Sequence, residues 1–167
     1  MSWYTGARAA IYPLVESTLS GMTRQLDDQT ANRMSIRELM EQYERWEDGG
    51  SSGAAPGLNT PFAVYDWGTD SPRTGPTAGV NYRQAQVRIY YVVSIEGKTA
   101  EQYMSELETA GAGLKDAFWD YSGSAFSTIE RGTIDTSPTN PAAEVFVRYN
   151  LPYAAAMFET VVVGGEL

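Results

Sequence analysis

The chain has 167 residues, 43% of them apolar, a size that suits one domain burying roughly 70% of the surface its unfolded form would expose. Its 12 basic and 21 acidic residues leave a net charge of -9, which argues against wrapping nucleic acid by neutralising phosphates. The absence of cysteine and histidine excludes thiol nucleophiles, disulfides, Cys/His zinc sites, imidazole acid-base catalysis and every Ser-His-Asp arrangement. No stretch approaches the roughly 18–20 continuous apolar residues of a membrane-spanning helix. Met1-Ser2-Trp3-Tyr4 also lacks the basic start and apolar run of a signal peptide, so a soluble protein made in the cytoplasm is expected.

In chain order, residues 2–26 read as a helix with Ala7, Ala10, Ile11, Leu14, Val15, Leu19, Met22 and Leu26 on a drifting stripe. Pro13 removes one backbone bond from it, which predicts a kink. Asp27-Asp28-Gln29-Thr30 is a polar exit, and Ser35 with Glu38 forms a capping-box signature ahead of a short helix ending near Trp46. The Gly/Ser/Ala/Pro-rich segment that follows predicts a long flexible loop over 47–60. Residues 61–67 predict a strand, and Gly68, Pro72, Gly75, Pro76 and Gly79 punctuate a long arm over 68–81.

Residues 82–95 read as one long strand whose odd positions, Ala85, Val87, Ile89, Tyr91, Val93 and Ile95, form the core face. After the turn at Glu96-Gly97-Lys98, Thr99 is the expected N-cap of a helix over 100–118, with Gln102 completing a capping box. Tyr103, Leu107, Ala110, Leu114 and Ala117 give that helix an apolar stripe, opposite Glu101, Glu106, Glu108, Lys115 and Asp116. This strand and helix are the expected folding centre. Downstream, 125–134 predicts a strand with Phe126, Thr128 or Ile129 directed inward. Alternation of Val145, Val147, Tyr149 and Leu151 predicts another over 143–151, and Pro152 precedes a last strand over 157–163.

This order predicts an α+β fold: a mostly antiparallel mixed sheet of about five strands with helices packed on one face. Phe146, Tyr90, Val92 and the region of Tyr153 then place apolar groups on the other face. They mark either an association surface or ground covered by the N-terminal helices.

Candidate chemistry is sparse. Asp66 with Asp70 and Asp116 with Asp120 are acidic pairs at spacings that match no calcium loop, and solvated carboxylates are the ordinary finding in so acidic a chain. Gly111-Ala112-Gly113 sits inside a predicted helix instead of after a strand, so close packing explains it better than a nucleotide loop. No serine lies in a GxSxG elbow. Neither a cofactor nor a metal is expected. Trp46 and Trp67 flank the long loops and either plug the ends of the core or anchor a partner. The arm is the main interaction candidate, with Trp67, Asp70, Arg73, Tyr82 and Tyr153 as interface candidates.

An N-terminal helix over 7–26, the lead-in Asn59-Thr60-Pro61-Phe62, a long arm, the strand over 83–95, the helix over 100–118 and a closing strand over 144–151 together resemble the tail terminator proteins of long-tailed bacteriophages. The short helix over 36–46 and the extra strand over 157–163 depart from that pattern, leaving open a neighbouring neck or tail tube component. The resemblance implies a virion protein without enzymatic activity, a homohexameric ring that caps the tail tube, ends its polymerisation and meets the head-tail connector or stopper protein. It implies as partners a second copy of the chain, the tail tube protein and that connector, with no membrane. DNA would pass through an acidic lumen without specific binding. The alternative from another class is a small carboxylate-based enzyme or ligand-binding domain using Asp66, Asp70 or Asp116.

Overall fold

The computed structural model describes residues 2–19, 21–22, 24–27, 60–73, 82–148 and 150–165. The expected helix over 36–46, Trp46, most of the 47–60 loop and the outer part of the arm lie outside them. The first helix, α1 (Trp3–Thr18), starts on Ser2, whose hydroxyl accepts from the Thr5 N–H at 3.3 Å. It contains Pro13 and buries Tyr4, Ala7, Ile11 and Val15 at steps of three and four. The predicted helix over 2–26 is therefore too long. Leu19 closes it, Gly21 turns the chain at φ +73, and β1 (Arg24–Asp27) pairs in parallel with β2 (Phe62–Trp67). Leu19, Met22 and Leu26 imitate a helical stripe, but a left-handed glycine ends the ladder that such a stripe needs.

The arm begins with a short strand, β3 (Ser71–Arg73), placing Arg73 opposite Tyr82 at the start of β4 (Tyr82–Ser94). β4 is the organising strand, flanked on one side by β2 and β3 and on the other by β7 (Tyr153–Gly164), with which it shares twelve antiparallel pairs from Arg83↔Gly164 to Ser94↔Tyr153. β7 begins earlier than expected and lies inside the sheet. The proline before it does not disturb the ladder, because its carbonyl accepts the Ile95 N–H at 2.9 Å.

Helix α2 (Ala100–Asp120) opens with the expected capping box: Thr99 Oγ1 accepts the Gln102 N–H at 3.2 Å, and Gln102 Oε1 accepts the Thr99 N–H at 2.9 Å. Leu107, Ala110, Leu114 and Phe118 are buried along one stripe. Gly111 is buried too; a methyl there would meet Ile134 at 2.6 Å, so close packing is the reason for that glycine, as anticipated.

The single strand expected over 125–134 is two short ones, β5 (Ser127–Thr128) and β6 (Thr133–Asp135), both antiparallel to β7. Thr128 faces Val162 and Thr133 faces Glu159, so the four residues from Ile129 to Gly132 stand opposite only Thr160 and Val161. This bulge turns Ile129 outward to 52% exposure, against its expected inward position, while Phe126 is buried as predicted.

The largest correction concerns the segment read as a strand over 143–151. It is a helix, α3 (Pro141–Arg148). Asn140 caps it, accepting the Ala143 N–H at 3.0 Å on Oδ1, and donates from Nδ2 to the carbonyls of Asp135, Ser137 and Ala155. With Pro141 preset at the first helical position, the cap outweighs the β-propensity of Val145 and Val147. Ala142, Val145 and Phe146 are buried at helical spacing, and Val147 is 67% exposed.

The result is an α+β fold around one open sheet, antiparallel except for the parallel β1. α1 and α2 cover one face, over Ala63, Tyr65, Ala85, Val87, Ile89, Phe158 and Val162. α3 takes the other, over Phe62, Val64, Tyr90, Val92 and Ala155. Tyr90 and Val92, expected either to mark an association surface or to lie under the N-terminal helices, are thus covered instead by α3, to which Phe146 itself belongs. Among the described residues, no helix is long and apolar enough to cross a membrane.

Candidate functional site

α3 covers only the half of its face nearest the Ser94 end of β4. The boundary is a row of charges placed side by side by strand register: Asp66 on β2, Arg88 on β4 and Glu159 on β7. Arg88 Nε donates to Glu159 Oε2 at 2.6 Å, and its Nη1 lies 4.0 Å from Asp66 Oδ2. Burial pushes the Asp66 carboxyl above its ordinary range and Glu159 adds to this, outweighing the opposing pull of Arg88. The hydrogen bond to Glu159 holds the Arg88 guanidinium more firmly protonated still. One step further under α3, the Tyr90 hydroxyl is buried with no hydrogen-bond partner within bonding geometry among the described residues, and desolvation raises its pKa against the opposing pull of Arg88.

Beyond this row α3 no longer covers the face; Gln86 and Val161 are exposed there among the described residues, while Val163 is buried. Gln84 and Gln86 of β4 and Val161 and Val163 of β7 alternate with the helix-facing residues, and Arg73 of β3 donates to Gln84 Oε1 at 2.9 Å. The bulge from Ile129 to Gly132 raises the far wall, leaving a groove of about 230 Å³ lined by Arg73, Ile129, Glu130, Arg131 and Val161 among others. Gly132 makes the bulge possible: a methyl there would run into the Phe158 ring and approach the Glu159 carbonyl at 2.9 Å. Arg131 reaches back to α2, 5.7 Å from the Trp119 ring centroid and 3.6 Å from Asp116 Oδ1.

The five interface candidates fall into three places. Trp67 and Asp70 secure the root of the arm to α1. The Trp67 ring stacks on Tyr65 at 5.1 Å, meets Tyr4 and Tyr12 edge-on, and lies 5.5 Å from the Arg8 guanidinium. Asp70 accepts from Arg83 Nε at 2.8 Å and Trp3 Nε1 at 3.2 Å. Arg73 stands opposite Tyr82 on the ladder. Tyr153 pairs with Ser94, about 40 Å along β4 from Tyr82, and its ring packs at 5.4 Å from Phe146 of α3. Of the five, Arg73 and Tyr82 are the pair that lies on the part of the face α3 leaves.

The acidic pairs do not converge either. Asp66, Asp70 and Asp116 each face a different arginine, and the described residues hold no cluster of three His, Cys, Asp or Glu side chains able to bind a metal ion. Sequence reasoning missed Trp119, Arg131 and Val161 and misdirected Ile129. The available signal was Gly132, a glycine inside a strand pattern, which marks a bulge. No protein-family model matches the chain, and no curated protein matches it.

Proposed function

We propose that this chain is a non-enzymatic assembly protein of the phage neck, a subunit of a ring that caps the tail tube, ends its polymerisation and joins the tail to the head connector. The observation that carries the reading is the half of the sheet face that α3 leaves, where, among the described residues, Ile129 and Val161 stand exposed around an arginine-bearing groove. Exposed apolar side chains with arginine among them are the composition of association surfaces. Of the elements that carry the resemblance to tail terminators, the N-terminal helix, the strand after the lead-in, the long strand and the capped helix are present, with β1 added after the first helix. The closing strand expected over 144–151 is the helix α3, and residues 157–163, a departure from that pattern, lie within β7. A net charge of -9 suits a wall past which DNA must move without adsorbing.

Native mass spectrometry of the purified protein at high concentration and moderate salt tests the reading. A closed ring, six copies expected, supports a terminator. An open ladder of sizes points instead to a tail tube subunit. A monomer that also fails to bind purified tails overturns the proposal.

A further inference from the structure

Trp119, Ile129 and Val161 are three of the four large apolar side chains left exposed among the described residues, at 42, 52 and 38%. Arg131 joins them, standing over Trp119 on one side and lining the groove with Ile129 and Val161 on the other. The patch is balanced in charge, Arg73 and Arg131 with Glu130 and Glu159, on a chain whose net charge is -9. Arg73 is spent on a neutral glutamine, and Glu159 is already held by Arg88. That leaves Arg73 and Arg131 against Glu130, with Arg131 only loosely engaged by the exposed Asp116. Exposed pairs of that kind hold their charges weakly.

The complement lies on α2. Glu101, Ser105, Glu108 and Ala112 are exposed and follow at steps of four, three and four, forming one stripe on its outer surface. The two carboxylates stand two turns apart, about 10 Å, and have no ion pair among the described residues, while Ser105 and Ala112 are small enough to allow close approach. Resting on the ring reading above, we infer that the groove beside the bulge receives the Glu101–Ser105–Glu108–Ala112 stripe of the next copy. Such a contact is head-to-tail. Ala112 lies one turn before Asp116 at the edge of the groove, whereas Glu108 and Glu101 stand about two and four turns before it, about 12 and 22 Å, so the groove and the two carboxylates occupy different stretches of α2 on one chain. A heterologous contact of this kind closes into a ring when its rotation closes, and arginine–carboxylate pairing offsets the repulsion between two acidic copies.

The experiment uses two full-length variants, Arg73→Glu with Arg131→Glu to disable the groove, and Glu101→Lys with Glu108→Lys to disable the stripe. Circular dichroism and melting confirm that each folds. Native mass spectrometry then reads assembly in each variant alone and in an equimolar mixture. Each alone is expected to be monomeric. The mixture is expected to form a one-to-one dimer and nothing larger, because one intact groove meets one intact stripe and both remaining surfaces are dead. The dimer should weaken at least tenfold between low and high salt. Variants that assemble like the wild type, or that stay monomeric when mixed, overturn the contact and leave the ring reading standing. A wild-type chain that is monomeric both free and with purified tails overturns the ring reading and this contact together.

Discussion

The two faces of the sheet are built from the same three strands and differ in what they ask of the residues. Under α1 and α2, alternate positions of β2, β4 and β7 are apolar apart from Arg83 at the start of β4 and the buried Thr160 of β7, and aromatic rings interlock there: Phe118 lies 5.0 Å from Phe158 and 5.8 Å from Phe126. The intervening positions change character along the strand, from Tyr90 and Val92 under α3, through the Asp66–Arg88–Glu159 row, to Gln84 and Gln86 in the open. A face buried along its whole length is a stability element. A face that passes from buried to charged to open is divided between stability and recognition, and the charged row is where the division falls.

The comparison can be broken most forcefully at Phe158. Phe158→Ala is expected to cost about 3–5 kcal/mol, read as a lowered urea midpoint, since its ring is buried beneath α2; a loss below 1 kcal/mol would deny that this face carries the core. Gly132→Ala should cost about 1–3 kcal/mol by overpacking the bulge, and it should reshape the groove, seen as amide shifts at Ile129 and Val161. A substitution without effect there would mean that the bulge does not rest on close packing.

Asn140→Ala removes the cap of α3 and is expected to cost about 0.5–2 kcal/mol. Increased binding of a hydrophobic dye should accompany it, as Phe62, Val64 and Tyr90 lose their cover. Tyr90→Phe is expected to stabilise by up to about 1 kcal/mol, because it deletes a buried hydroxyl that has no partner among the described residues; a destabilised variant would show that the hydroxyl is satisfied.

The smallest effect is at Asp66, whose carboxyl is held above its ordinary value by burial. A raised carboxyl pKa favours folding while the group is protonated, below the unfolded value near 3.9, and that advantage fades as pH rises through the folded value. Asp66→Asn should therefore gain melting temperature relative to wild type as pH climbs from the acid range to neutrality. A difference that does not change with pH would contradict the assignment.

Much of the helix-covered face was legible in the residues. The odd-numbered apolar series of β4 from Ala85 to Val93, the Thr99–Gln102 capping box and the α2 stripe through Leu107, Ala110 and Leu114 each carry their own periodicity or local hydrogen bonding and appear where the pattern puts them, while Ile95 falls past the strand and Phe118 is buried in place of Ala117. The opposite face was misread because short segments are ambiguous. Val145, Val147, Tyr149 and Leu151 satisfy a period of two, while Ala142, Val145 and Phe146 satisfy a helical step, and only the Asn140 cap with its reach to the Ala155 carbonyl decides between them. The candidate site was hidden for a related reason: Ile129 and Val161 look like core residues until a two-for-four register mismatch exposes them.

What the sequence by itself determined is therefore the chemistry it excludes, the acidic balance, the α+β class and the pairing of the long strand with its capped helix, because composition, alternation and capping act within a few residues of chain. Only the tertiary structure decided that α3 seals half of the second face, that β7 runs through the sheet interior, and that Trp119, Arg131, Ile129 and Val161 form one surface. Those outcomes depend on cross-strand register and on side chains distant in sequence competing for the same area, and neither is encoded in a local pattern.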